Sequence, residues 1–267
     1  MTDFTALVAN PKDFMVEGGK FRSSNKVYRV KFGLHDLVVK NPGILSEIRD
    51  MYYFEQDKIF YGNRRRAPAK LRLDQEVKTL DELGKIEGVN VPTVAQYARE
   101  SKILVLNYIP GRDFRNLTRD EKEITLEKAM DQLELIHSNG KFIGNAHTKK
   151  IRLGEDGKVY WVGFCGIYEQ ERDIVRSQAI DLLKFAYSTY MASDGDKDLT
   201  IRAAATASQH YDSRVRERLS EITYLVPKSW KLKWTTRMPL GGKISEGIKN
   251  ILYDQETVIP GPFAKLA

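Results

Sequence analysis

Pro110-Gly111 splits the chain into two unlike stretches, and this break does most to limit what it can fold into. Before it, KVYRVK (Lys26 to Lys31), DLVVK (Asp36 to Lys40), Pro92 to Tyr97 and KILVLNY (Lys102 to Tyr108) are short and rich in β-branched and aromatic residues. They read as strands, the first two joined by a Gly33-containing turn into a hairpin. GGKFRSSN, Gly18 to Asn25, reads as a flexible turn leading into that hairpin. Ile44 to Tyr61 carries aromatic and aliphatic residues at near-helical spacing, and Leu71 to Ile86 has apolar residues at 73, 77, 80, 83 and 86, the stripe of an amphipathic helix.

Beyond the break the pattern turns helical. Thr118 and Glu121 form a capping-box pair at the start of a helix that runs to about Ser138 and ends at Gly140. Phe142 to Ile151 is irregular, and Gly154-Glu155-Asp156-Gly157 lies between two short β-forming runs, Ile151 to Leu153 and Lys158 to Phe164, as a hairpin tip. Helices are expected over Ser177 to Met191, Leu199 to His210, Arg214 to Leu225 and around Ile244 to Tyr253. There is no internal repeat.

Composition narrows the class. With 42% apolar and 30% charged residues over 267 positions, the chain has material for a packed core and is neither mainly disordered nor collagen-like. No apolar run approaches the ~20 residues of a membrane helix, and MTDFTALVANPKDF lacks the basic-then-apolar layout of a signal peptide. Cys165 is the one cysteine, which excludes an intramolecular disulfide and a cysteine-cluster zinc site. A cytoplasmic protein is the expectation. His35, His137, His147 and His210 have no metal-ligand spacing, and the G-x-x-x-x-G-K-[ST] phosphate loop is absent.

The net charge of +7 is unevenly spread. Residues 1–110 carry +4, residues 111–200 carry −2, and residues 201–267 carry +5. Two basic clusters stand out: Arg64, Arg65 and Arg66, and the tryptophan-interleaved run containing Lys228, Trp230, Lys231, Lys233 and Trp234. Read plainly they are solvated surface. Read functionally they are a contact surface for an acidic protein, a nucleic acid or an anionic surface.

The order of these parts resembles the protein-kinase-like fold. The parts are a glycine-containing turn, a hairpin ending in VVK, an acidic amphipathic helix, a VP-containing strand, LVLNYIPG, a long helix ending LIHSNG, a loop and a short hairpin. Most similar are small atypical branches: RIO-type kinases, the small kinase of the tRNA threonylcarbamoyl-modification complex, lipopolysaccharide-core kinases and aminoglycoside phosphotransferases. The resemblance covers roughly residues 16–190. It implies an α+β, two-lobed architecture, a β-rich N-lobe over 1–107 and a helical C-lobe over 108–267, with ATP as the candidate cofactor.

The resemblance also assigns roles. Gly18 and Gly19 fall in the turn over the nucleotide, Lys40 matches the strand lysine that pairs with the phosphates, and Glu76 matches its acidic partner, with Glu55 as the competing candidate. Leu106, Asn107 and Tyr108 fall at the hinge, where backbone groups would face an adenine edge, and Asp181 matches the helix aspartate that braces the catalytic loop.

Three positions depart. The family's loop reads H-G-D-x-H-x-x-N and its hairpin ends in D-F, whereas here Ile143-Gly144-Asn145-Ala146-His147-Thr148-Lys149-Lys150 and Gly163-Phe164 occupy those places. Asn145 replaces the catalytic aspartate with an amide that accepts no proton. Lys150 replaces a magnesium-binding asparagine with a cation, and Gly163 replaces a magnesium-binding aspartate with no side chain at all. His147 keeps the family's histidine and has the pKa range for base work, though support of the loop is its plainer role. Lys150 would suit direct contact with a phosphate in place of a metal. The expectation is a pseudokinase that keeps nucleotide binding and acts as a binding or regulatory module, with magnesium binding in doubt. The alternatives are an active atypical phosphotransferase with a displaced metal site and a basic nucleic-acid- or membrane-surface-binding protein.

Overall fold

The computed structural model describes residues 3–18, 25–42, 69–144, 146–164, 173–193 and 211–225. The expected helices at Ile44 to Tyr61, Leu199 to His210 and Ile244 to Tyr253 lie outside the described residues, as do both basic clusters, Glu55 and Cys165. The chain forms two compact units, one of Met1–Asp113 with Lys150–Arg172 and the other of Phe114–Lys149 with Asp173–Ala267. A single division at 107/108 therefore differs from the observed grouping. The short strand β6 (Gly111–Asp113) pairs with β7 (Ile151–Gly154), and this pairing draws the later hairpin into the first unit.

The first unit is built on a five-stranded antiparallel sheet. Its strands are β1 (Met15–Gly18), β2 (Asn25–Phe32), β3 (His35–Pro42), β4 (Val94–Ala98) and β5 (Ile103–Asn107), in the order β1-β2-β3-β5-β4. Gly18 ends β1, paired with Tyr28, so the turn read from Gly18 onward begins after a strand the sequence reading did not find. Phe32 pairs with His35 across a two-residue turn, and Gly33 at φ +59 supplies the positive dihedral that such a turn needs.

Side chains alternate across β3. Leu37 and Val39 turn to one face, where they join Val30, Ile103 and Val105 beneath Phe4 and Leu7. Lys40 therefore points to the opposite face. The cover over Leu37 and Val39 is the N-terminal segment, a short helix α1 (Thr5–Ala9) followed by a 3-10 turn at Pro11–Phe14. Helix α2 (Ala69–Leu83) precedes β4. Its buried stripe runs Leu73, Glu76, Leu80, Leu83, so Glu76 stands in an apolar register that the sequence reading assigned to Val77.

The second three-stranded sheet of this unit orders β6, β7 and β8 (Val159–Trp161). Gly157 at φ +73 turns the tip, and Trp161 is fully buried, its N–H bonded to Asn90 O at 3.0 Å. In the second unit, α3 (Arg119–Ser138) opens on the expected capping box, in which Thr118 Oγ1 accepts from the Glu121 N–H and Glu121 accepts from the Thr118 N–H. It closes on a Schellman motif: Lys141 N–H reaches Ile136 O and Gly140 N–H reaches His137 O, with Gly140 at φ +67. Helix α4 (Ile174–Ala192) is buried on nearly every side, as a central helix must be, and α5 (Ser213–Leu225) packs against it. No helix among the described residues is long and apolar enough to cross a membrane.

The N-terminal cover makes a testable demand. Leu7 is fully buried over the sheet, so Leu7→Ala should lower the stability of the chain by about 2–3 kcal/mol, the usual range for a buried leucine in a site that partly collapses. Urea unfolding measures it. An unchanged midpoint would show that the segment contributes no packing energy.

Candidate functional site

The first unit brings Lys40, Glu76 and the Gly163-Phe164 segment together. Lys40 leaves β3 on the face opposite the N-terminal cover, and its Nζ forms an ion pair with Glu76 Oε1. The same oxygen accepts the N–H of Phe164 at 3.1 Å. Glu76, rather than Glu55, is thus the carboxylate beside Lys40. The pair is buried, with Glu76 only 1% exposed, and its second oxygen, Oε2, has no hydrogen-bond partner among the described residues.

The hairpin of β7 and β8 delivers Gly163 to this place. Val162 N–H closes onto Lys150 O at 2.7 Å, which sets Lys150 and Gly163 at the open end of the hairpin. Gly163 has φ +85, and a Cβ built on it meets nothing within 4 Å. A side chain has room there, and its cost is conformational: about 1–2 kcal/mol for most L-residues, less for Asp or Asn, whose short polar chains visit this region. Glycine therefore removes the carboxylate while leaving the backbone path relaxed.

The hinge residues are tied down from within the unit. Asn107 N–H donates to Thr93 O and Tyr108 N–H to Asp36 O, both at 3.0 Å. Leu106 is buried in β5, and the Asn107 side chain bonds Thr93 Oγ1. The N–H groups the sequence reading offered to a base are thereby spent. Ile109 was missed: its N–H carries no hydrogen bond among the described residues. The signal for it was Pro110, which has no N–H and ends the strand ladder just after the residue whose donor is left over.

The second unit holds the loop from Ile143 to Thr148 against α4. Asp181 is fully buried, and its Oδ2 accepts the N–H groups of Ile143 at 2.6 Å and Gly144 at 3.1 Å. Its Oδ1 accepts the N–H of Ala146 at 2.9 Å. Gly144 at φ +77 turns the backbone so that these donors converge on one carboxylate, a nest of N–H groups. His137 Nε2 stands 3.5 Å from Asp181 Oδ2, and its ring meets Tyr211 edge-on. Burial alone would raise the Asp181 pKa; the bond and charge of His137 with the Ala146 and Ile143 N–H groups outweigh it and hold the pKa below its ordinary 3.8. Seven residues on, and so on the same side of α4, Ser188 fixes the far end of the loop. Its Oγ accepts the Thr148 N–H at 2.9 Å, and Thr148 Oγ1 donates to Ser188 O at 3.0 Å.

His147 Nδ1 accepts the N–H of Lys149 at 3.3 Å, which occupies one ring nitrogen within the loop itself. Asn145 and Gly19 lie outside the described residues. Burial is the first cause of a raised Tyr211 pKa, followed by the charges of Asp181 and Glu134.

Asp181 offers a direct test. Its depressed pKa means that its stabilisation is complete above the ordinary carboxylate value and is lost as pH falls from about 4 through the lower folded value. Asp181→Asn should cost about 3 kcal/mol or more at neutral pH, because the amide brings donors to three converging N–H groups. The variant should also lose the part of the acid-side decline that Asp181 causes. Unfolding curves between pH 2.5 and 7 measure both, and a parallel decline in wild type and variant would contradict the assignment.

No family model matches the chain. It is 28% identical over 151 residues to the KEOPS complex subunit Bud32 of Pyrococcus abyssi (strain GE5 / Orsay), across 52% of this chain and 67% of that protein. With the antiparallel sheet bearing Lys40, the ion pair to the following helix and the helical remainder, this likeness places the chain in the protein-kinase-like superfamily, with that fold's α+β architecture.

Proposed function

We propose that the chain is a kinase-like binding module that holds an adenine nucleotide and does not transfer its phosphate. The observation that carries this reading is local to the first unit. The Lys40–Glu76 pair is buried and tied to the Phe164 backbone, while Gly163, the residue before Phe164, has no side chain to offer a metal. Lys40 supplies a cation for phosphate oxygens, and the unspent Ile109 N–H supplies a donor for the edge of a base. ATP thus fits the groups present.

Magnesium does not fit them in the usual way. It calls for hard oxygen ligands, commonly one or two carboxylates, and the aligned positions carry an ammonium at Lys150 and no side chain at Gly163. Among the described residues no group of three or more His, Cys, Asp and Glu side chains is placed to hold a metal ion. We therefore derive no step through magnesium. Asn145 completes the reading, because an amide orients a hydroxyl without taking its proton.

One observation favours the second reading, an active phosphotransferase with a displaced metal. Glu76 Oε2 is a buried carboxylate oxygen without a donor among the described residues. The similar Pyrococcus protein is named as a subunit of a complex, which supports a reading in which this chain works bound to another protein. Arg64, Arg65 and Arg66, or the Lys228–Trp234 run, are the basic segments we propose for an acidic partner.

ATP should stabilise the wild-type chain in thermal shift to the same extent with EDTA as with magnesium, since ligand bound to the folded state alone raises stability by mass action. Stabilisation that requires magnesium, together with ATP consumption, would favour the displaced-metal enzyme. Restoring the family residues in one variant, Asn145→Asp with Lys150→Asn and Gly163→Asp, should make ATP binding magnesium-dependent. A variant that folds and stays indifferent to magnesium would contradict the placement of these three residues.

A further inference from the structure

The hinge of the first unit is clamped by two arginines that the sequence reading did not single out. Arg29, on β2, is held by Asp36, with Nε to Oδ1 at 3.0 Å and Nη2 to Oδ2 at 2.6 Å. Its guanidinium lies 4.0 Å from the centre of the Tyr108 ring. The Asp36 carbonyl in turn accepts the Tyr108 N–H, so Arg29, Asp36 and Tyr108 close a circuit around one residue of the hinge. Arg152, on β7, bonds the other side. Its Nη2 donates to Tyr108 Oη at 2.8 Å and to Gly111 O at 2.7 Å, while Nη1 donates to Asp113 Oδ1 at 3.1 Å. Pro110 O accepts the Glu155 N–H at 3.1 Å.

Backbone accounting turns this clamp into chemistry. From Asn107 to Gly111, the Asn107 and Tyr108 N–H groups are spent, Pro110 has none, and Gly111 belongs to the β6 ladder. Ile109 N–H is what remains, between a residue fixed through its ring, phenol and amide and a residue fixed through its carbonyl. A single donor held at one place favours a flat ring with an acceptor on its edge. A phosphate chain gains nothing from it.

We propose that Arg152 and Arg29 are positioning residues that fix the Ile109 N–H for a purine base, so that they govern binding of the nucleoside part of a nucleotide and leave its phosphates untouched. The proposal rests on the nucleotide-binding reading above and adds what selects the base. Lysine at position 152 would not restore it, since a point charge does not bridge a phenol, a carbonyl and a carboxylate at once.

The test compares ATP with inorganic tripolyphosphate by calorimetry on the full chain, in wild type, Arg152→Met and Tyr108→Phe. Arg152→Met should weaken ATP about tenfold, the loss of one well-made charge-assisted hydrogen bond, and leave tripolyphosphate within about twofold. Amide exchange over residues 107–111 should rise in the ligand-free variant. Tyr108→Phe, which loses the phenol alone and keeps the ring under Arg29, should change both quantities less and in the same direction. Equal weakening of both ligands, unchanged ATP affinity, or unchanged exchange would overturn the proposal. Wild-type protein that binds neither ligand would instead sink the nucleotide reading on which it rests, so the two failures are distinct.

Discussion

The buried pair of Lys40 and Glu76 is the interaction on which the first unit depends. Two charges taken out of water cost several kcal/mol each before their attraction offsets it, and a partner left alone would be strongly destabilising. The chain meets this cost with a third group, the Phe164 N–H, which shares Glu76 Oε1 with the lysine. Strand β3, helix α2 and the segment after β8 are therefore joined at a single carboxylate oxygen. Loss of that oxygen would strand a buried ammonium and release the residue that follows Gly163.

The second unit shows the same economy around a different carboxylate. Asp181 gathers three backbone N–H groups and His137, and Ser188 pins the loop two turns along the same helix. The frame of the loop is thus specified by α4. Chemistry and framing have parted in this chain: Lys40, Glu76 and Asp181 make the buried contacts of a kinase-like scaffold, while Asn145, Lys150 and Gly163 carry side chains unsuited to proton acceptance or magnesium. A scaffold selected to bind, rather than to react, would keep the first set and tolerate changes in the second.

Much of this was legible in the sequence because the decisive signals were local. Thr118 and Glu121 predicted their capping box, Gly140 its left-handed turn, and the alternation in DLVVK its strand. Glu76 was chosen for its place in a family pattern, yet its burial follows from helix periodicity, since it falls in line with Leu73, Leu80 and Leu83. The N-terminal cover was not legible. A five-residue helix has too few positions to show a stripe, and what fixes it is the apolar sheet face beneath Phe4 and Leu7, which arises only after β2, β3 and β5 have paired. The hinge clamp was hidden for the same reason: Arg29, Tyr108 and Arg152 are distant in sequence and meet only through strand register.

The central claim is that the Lys40 site binds ATP and stops there. The direct measurement is a single-turnover experiment with γ-labelled ATP, run with excess protein, comparing wild type with Lys40→Met. The account predicts that wild type retains the labelled nucleotide in EDTA, that Lys40→Met does not, and that magnesium produces no labelled phosphate or phosphoprotein from either. Magnesium-dependent loss of the γ-label in wild type, abolished by Lys40→Met, would contradict it.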